Sequence, residues 1–475
     1  MTESKLGLLL SSFDTADWKR FEAFLQSPYY NTNSDILALF QAIYTAGEGV
    51  SNQGKAAVFA RAFPERPYDS RRMGYLMNQL LSLAEDFLST EKFRADDFQQ
   101  HRYALRALSE RKLGKHYDFR LKKARKQLGK TLENTHHLHR QYLLAEVEMI
   151  HFANQKVRRS DPSVQQAYEK LNTFYYATVL KYACTLLSWS LVVKGEFELS
   201  PISKRVIEAL HEAPQASPLI QIYLSIYQTI NSDNEEEDSH RYFQRLEGYI
   251  KQYQQEVDQE EMREIYLYAI NFCARRIRKG EAAYRKRVIE LYEDGIAQGY
   301  LFEQGYLSHW TYTNVVKLML LEKQFQKAEE FIHRYKEKMP PRFYNDAFHF
   351  NLAELYFHQG RYGEVLKLLQ QLTFTDSHYN MGSRMLIIKT FYELNDIEPL
   401  LSNLASFTRL LMRNKKLSGA YQETMLNFCK LLHQVLRVHK DDKKRDKTAE
   451  RISSTEMLAE RSWLLEALDK QMARD

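Results

Sequence analysis

Three cysteines in 475 residues, Cys184, Cys273 and Cys429, are too far apart and odd in number for a disulfide framework. No Cys-x-x-Cys or His-Glu-x-x-His spacing is present, so no recognised zinc site is expected. Each thiol reads as a small core residue, and the chain suits a reducing compartment. Proline (10) and glycine (17) are equally sparse, which argues against collagen-like, disordered and turn-rich all-β chains. No window approaches the ~18 apolar residues of a membrane span. The opening MTESKLGLLLSSFDTADW has too short an apolar run for a secretory leader and no basic start. The expectation is a cytoplasmic protein with no membrane partner, no metal and no cofactor. No Gly-x-Ser-x-Gly, paired-acid constellation or dinucleotide fingerprint appears, so nothing in the sequence points to an enzyme and a non-catalytic role is expected.

What is present is apolar material at helical spacing. The chain is 44% hydrophobic and 13% aromatic, with 31 tyrosines, enough to bury a continuous helical core. One unit recurs. Phe325-x-x-Ala328-x-x-x-Ile332 is followed by Tyr362-x-x-Val365-x-x-x-Leu369 and Ile397-x-x-Leu400-x-x-x-Leu404, at intervals of 37 and 35 residues. A preceding helix recurs with it: Tyr312, Val315, Val316 and Met319, then His349, Leu352, Ala353 and Tyr356, then Arg384, Ile387, Ile388 and Phe391. Pro340 falls between units, and Gly360 and Asn395 fall at turns inside them, where a residue tolerant of positive φ is favoured. Residues 309–414 thus resemble a tetratricopeptide array, whose period is ~34 residues. The usual first-helix Trp is missing, and the close-approach Gly is replaced by Val316, Ala353 or Ile388. That substitution predicts wider helix spacing. The resemblance implies an all-α solenoid of antiparallel hairpins whose first helices line a concave surface for a protein or peptide.

Around the repeats the chain reads as more helices. Residues 1–97 form an N-terminal helical module: Asp14 or Thr15 caps a helix carrying Trp18, Phe21 and Leu25, and Asp69 or Ser70 caps one carrying Met73, Leu76, Met77, Leu80, Ala84 and Phe87. Residues 98–300 continue as hairpins, with start signals at Asp161-Pro162, Ser200-Pro201 and Ser217-Pro218. Residues 262–298, broken near Gly280, read as a degenerate further copy. Residues 301–439 hold the repeats and a capping helix, 440–452 a charged linker, and 453–475 a last helix with Trp463. Over its full length the chain also resembles a bacterial family of helical proteins to which no activity attaches. The stretches carrying this are FEAFLQSPYYN (21–31), GYLSHWTYTNVVKL (305–318) and LAELYFHQGRY (352–362).

Two surfaces are candidates for function. Transferring the groove-facing positions of the tetratricopeptide unit gives Thr313, Lys317, Phe350, Glu354, Phe357, Met385, Lys389 and Tyr392. Lys317 and Lys389, two repeats apart, would hold an acidic or C-terminal carboxylate. The alternative is that flanking helices fill this groove. The second surface lies in residues 98–160, where 15 Lys or Arg face 5 Asp or Glu although the whole chain is only +6. Arg120, Lys122, Lys123, Arg125, Lys126 and Lys130 cluster there, which suits either a nucleic-acid or other polyanion surface or a plainly solvated helix face. Two further patterns carry little. Gly49 to Lys55 has phosphate-loop spacing, but it follows a helix and Ala56 stands where Ser or Thr is needed. His136, His137 and His139 project about 100° apart per residue and do not converge.

Overall fold

A computed structural model of the chain describes residues 2–45, 49–50, 54–156, 159–191, 198–212, 217–232, 236–414, 417–438 and 441–473. The protein is all-α. Among the described residues 23 α-helices carry the structure. Extended pairing among the described residues is confined to two-residue ladders, Tyr44–Thr45 with Gly49–Val50 and Phe302–Glu303 with Tyr306–Leu307, and a bridge between Glu133 and Val257. The chain divides into two compact units, Met1–Leu224 with Gln255–Asp258, and Ser225–Gln254 with Gln259–Asp475.

The first unit contains α1 (Lys5–Leu10), α2 (Thr15–Gln26), α3 (Ser34–Ile43), α4 (Lys55–Ala62), α5 (Ser70–Ala95), α6 (Asp97–Glu110), α7 (Gly114–Leu128), α8 (Thr135–Asn154), α9 (Ser163–Ser190), α10 (Pro201–Glu212) and the first turns of α11 (Pro218–Asn231). Asp14 closes a capping box with Asp17 at the start of α2, and the Asp69 carboxylate accepts from Arg71 N and Arg72 N at the start of α5. Both satisfy amides that a helix leaves orphaned in its first turn. Leu6, Trp18, Phe21, Phe40, Leu80 and Phe87 close one core over α1–α5. A second core over α6–α8 is built on Phe98, Leu105, Tyr117, Leu144 and Val147. The expected boundary at 97/98 therefore separates two cores within one compact unit. Asp96 ends α5 and caps α6 through Gln99 N, so the chain turns there without a linker. At Ser217-Pro218 the cap is not the serine. Its hydroxyl donates to Glu133, whose carboxylate also accepts from Leu219 N.

The second unit contains the rest of α11, α12 (Glu236–Tyr253), α13 (Gln259–Arg278), α14 (Tyr284–Ala297), α15 (His309–Leu321), α16 (Phe325–Tyr335), α17 (Pro341–His358), α18 (Tyr362–Gln370), α19 (Ser377–Glu393), α20 (Ile397–Arg413), α21 (Gly419–Val435), α22 (Asp442–Ser454) and α23 (Arg461–Ala473). The expected boundary at 300/301 falls inside this unit, because α14 and α15 pack together.

The same turn joins α15 to α16, α17 to α18 and α19 to α20. Lys323, Gly360 and Asn395 take positive φ (56°, 74° and 55°). The next amide then reaches back to the first helix: Gln324 N to Met319 O, Arg361 N to Tyr356 O and Asp396 N to Phe391 O, at 2.8–3.0 Å. This six-residue closure satisfies carbonyls the helix end leaves free. Gly280, at φ 97°, makes the same closure between α13 and α14 through Glu281 N and Arg276 O.

The charged run at 440–452 is helix rather than linker from Asp442 on. Asp441 caps it through Lys444 N, and Thr448 and Ile452, four residues apart, give it one buried face against α21 and α23. Charge alone does not prevent a helix when a neighbouring element offers that stripe a partner.

Candidate functional site

The first helices of the three hairpins, α15, α17 and α19, carry the eight residues expected to face a groove. Their fates differ. Thr313 is half-buried and belongs to a polar network: Asn351 Nδ2 donates to its hydroxyl at 3.1 Å, and it shares a hydrogen bond of 3.0 Å with the Tyr379 hydroxyl, itself 3.1 Å from His309 Nδ1. Phe350 is buried against Gly382 and 5.5 Å from the Tyr379 ring. Hairpin packing takes both, so neither is free to meet a partner. Glu354 and Met385 are half-buried.

Of the other four, Lys317, Lys389 and Tyr392 meet the chain's own C-terminal segment, and Phe357 lies against Lys389. Lys389 is buried within α19, and its Nζ lies 2.7 Å from Glu460 Oε2. Lys317, from two hairpins earlier, reaches the other oxygen of the same carboxylate at 4.0 Å. The Lys389 ammonium also lies 4.7 Å from the Phe357 ring and 5.7 Å from the Trp463 ring, within cation–π range. The Tyr392 ring meets Trp463 edge-on at 5.3 Å, and its hydroxyl donates to Ala467 O. On the next residue, the Glu393 carboxylate accepts from Trp463 Nε1 at 3.0 Å and pairs with Lys470 Nζ at 2.8 Å. Lys389 and Tyr392 are therefore covered by the chain's own tail, as in the alternative in which flanking helices fill the groove.

This occupation explains the composition of α19. Its buried residues include Tyr379, Met381, Leu386, Ile388, Lys389, Phe391 and Tyr392, covering nearly every side of the helix. Glu460 itself stands at φ 53°, a left-handed conformation that costs a non-glycine residue energy. Its carbonyl accepts from Leu464 N to open α23. Arg461 reaches back to the carbonyls of Ile452, Ser453 and Thr455 and fixes the α22–α23 corner.

The electrostatics follow from burial and pairing. The Lys389 ammonium holds the Glu460 carboxyl well below the usual carboxylate range, with Lys317 adding to it. Burial pulls Lys389 down, but the Glu460 and Glu354 charges outweigh it and its pKa lies above the ordinary lysine value. Both groups stay charged through the physiological range, and the rings of Phe357 and Trp463 flank the ammonium of the pair.

The cationic residues lie on α7, except Lys130 in the turn that follows it. Tyr117 and Ala124 face the core, and Lys122, Lys123, Arg125, Lys126 and Lys130 are exposed, with Arg120 half-buried. Arg125 turns away from the others: its Nε donates to Glu148 Oε1 on α8 at 3.1 Å. Lys123 Nζ sits 4.6 Å from the ring of Phe119, which is itself exposed. Beside it Ala104, Ala107, Leu108, Arg111, His116, Phe119 and Arg120 line an open cavity of about 430 Å³.

Other motifs are absorbed by packing. His137 is buried between Thr131 and Gln141, while His139 stacks on Phe174 at 4.6 Å, so the histidines diverge. All three thiols are buried and pushed up by burial, Cys429 to about 11, which leaves them protonated. Of the phosphate-loop-like stretch, residues 51–53 lie outside the described residues; Gly54 caps α4 and Lys55 begins it. Among the described residues no group of three or more His, Cys, Asp or Glu could hold a metal, and no helix is long and apolar enough to cross a membrane.

Comparison with models of known protein families gives no match, and a search of curated proteins returns no relative.

Proposed function

We propose that this protein is a non-catalytic helical scaffold of the solenoid kind, which binds a peptide or protein segment on the inner face of the hairpins at residues 309–414. The observation that carries this reading is the convergence of Lys317 and Lys389 on one carboxylate, that of Glu460. A pair of cations contributed by two separate hairpins, flanked by Phe357 and Tyr392, is a grip for an acidic, helical polypeptide. In this form the chain's own tail fills it, so a partner would compete with residues 455–473. The test is binding in trans. A labelled peptide of residues 455–473 is titrated with full-length Glu460→Lys protein, whose tail is repelled by both lysines. It is titrated in parallel with the charge-swapped Lys389→Glu, Glu460→Lys protein, whose tail pairs again. Saturable binding by the first and little by the second supports the reading. Absence of binding by both overturns it.

A second reading is favoured by α7. Lys122, Lys123 and Lys126 beside exposed Phe119 and an apolar-floored cavity suit a single-stranded nucleic acid, whose phosphates meet the cations and whose bases stack on a ring. Retention of single-stranded RNA or DNA should then weaken steeply with salt. Equal retention by a variant with the lysines and arginines of residues 120–130 changed to glutamine excludes it.

A further inference from the structure

The α6–α7 hairpin closes with the turn that joins the later hairpins. Lys112 takes φ 57°, and Leu113 N reaches back to Leu108 O at 3.0 Å. That closure sets the end of α6 beside the start of α7. Arg111 comes from the first, and His116 and Arg120 stand four residues apart on one face of the second. All three line the open cavity of about 430 Å³, together with Ala104, Ala107 and Leu108. The two alanines contribute one methyl group each, which leaves the space.

The cations of this cavity are not spent on acids. Arg111 donates to Ala107 O, a carbonyl of its own helix, at 3.0 Å. Arg120 Nε is buried and meets no hydrogen-bond acceptor. Among the described residues neither guanidinium pairs with a carboxylate, whereas Arg125 on the same helix is held by Glu148. The acid of the α6–α7 groove is Asp97, at its far end, where it accepts from Gln127 Nε2 at 3.2 Å. Buried polar atoms without a partner are few in folded proteins, and an ion that completes the set is one ordinary cause.

The charge of the missing partner follows from the count. A phosphodiester inside a strand carries one negative charge, whereas a phosphate monoester carries about −1.5 to −2 near pH 7 and presents three oxygens. Two guanidinium groups and an imidazole N–H in one cavity match the monoester. The planar fork of arginine also fits phosphate oxygens two at a time. The rest of the ligand follows from Phe119. Its ring lines the same cavity and is 63% exposed, with Lys123 Nζ 4.6 Å from its centroid. A flat base stacks on such a ring whatever its identity.

We propose that the α6–α7 cavity is a site for a 5′-nucleotide. Arg111 and Arg120 hold its phosphate monoester, His116 donates a hydrogen bond to it, and the base stacks on Phe119. This rests on the reading of α7 as a nucleic-acid surface and narrows it to one end group, carried by a free nucleotide or by the 5′ end of a strand.

The experiment is calorimetric titration of the full chain with adenosine 5′-monophosphate, adenosine, inorganic phosphate, phosphotyrosine, and a short single strand with and without a 5′-phosphate. The monophosphate should bind at least about tenfold more tightly than adenosine, which lacks the charge-assisted bonds. Arg120→Gln should weaken it by about tenfold or more. Phe119→Ala should bring it towards the affinity of inorganic phosphate. Circular dichroism should be unchanged in both. Lys126→Gln, exposed on α7 away from the cavity, should bind as the unaltered protein does. A 5′-phosphorylated strand tighter than the monophosphate assigns the site to a strand end, one no tighter assigns it to the free nucleotide, and both support the proposal. Phosphotyrosine tighter than the monophosphate overturns it in favour of a phosphorylated peptide. An equal loss in Lys126→Gln overturns it too, since the attraction is then a diffuse field. Equal binding of the two strands without binding of the monophosphate sinks the proposal and leaves the nucleic-acid reading standing. Binding of none of these ligands sinks both.

Discussion

Lys389 and Glu460 are 71 residues apart in the chain and 2.7 Å apart in the structure. The pair fixes the start of α23 against α19. It sits among Phe357, Tyr392 and Trp463, so most of the water that would screen it is excluded. The lysine side chain is 5% exposed and the glutamate 21%, while Lys317, the second cation, is 66% exposed. The two lysines therefore act unequally: Lys389 is a structural counter-charge, and Lys317 is the one open to solvent.

Lys389→Met should destabilise the docking of α23 by about 2–4 kcal/mol, because removing one member of a buried pair strands the other. The figure is held below the upper end of that range by Lys317, which remains near the Glu460 carboxylate. Adding Glu460→Gln should recover most of the loss, since a neutral pair strands no charge. Hydrogen exchange of the α23 amides measures both. Equal protection in the Lys389→Met protein and the unaltered one would contradict the structural role.

Acid should loosen the second unit before its carboxylates titrate. Burial holds His309 below the ordinary value of 6.5, against a smaller opposing effect of Asp376, and the same holds for His378. An unfolded chain therefore takes up protons at these sites before the folded one does. Their contribution is complete above about pH 6.5 and is lost as pH falls through that value toward the lower folded-state pKa. Glu460 adds a second loss below 4.5, because its folded carboxyl is depressed by Lys389. Melting temperature should fall between about pH 7 and 5, and His309→Gln with His378→Gln should flatten that slope. An unchanged slope would place the titrating groups elsewhere.

The hairpins were legible because their signals are local. Apolar spacing gave Tyr312, Val315, Val316 and Met319, all buried, and Gly360 and Asn395 marked turns that do take positive φ. Lys323 makes the same turn without any residue type to announce it. What was not legible depends on pairing across long stretches of chain. Nothing near Glu460 marks it as the partner of Lys389. A run as charged as 440–452 looks like a linker until Thr448 and Ile452 find a surface. The eight groove positions were transferred from a repeat whose inner face is open. Here Thr313 and Phe350 are taken by hairpin packing and Lys389 and Tyr392 by the tail.

Gly382 gives a prediction whose sign can be checked against a control. It lies in α19, and a methyl group added there would stand 2.8 Å from Phe350 Cε2 and 3.0 Å from Cζ. The Phe350 ring is buried and held by Tyr379, so it has little room to yield. Glycine to alanine inside a helix ordinarily gains about 1 kcal/mol, and overpacking costs about 1–3 kcal/mol. The clash should prevail, and Gly382→Ala should lower stability by up to about 2 kcal/mol. Gly248 is the matching site in α12, where an added methyl meets nothing within 4 Å. Gly248→Ala should therefore raise stability by up to about 1 kcal/mol. Denaturant midpoints of the two proteins against the unaltered chain decide the matter. If both substitutions shift the midpoint upward, the α17–α19 approach is looser than the Phe350–Gly382 contact implies.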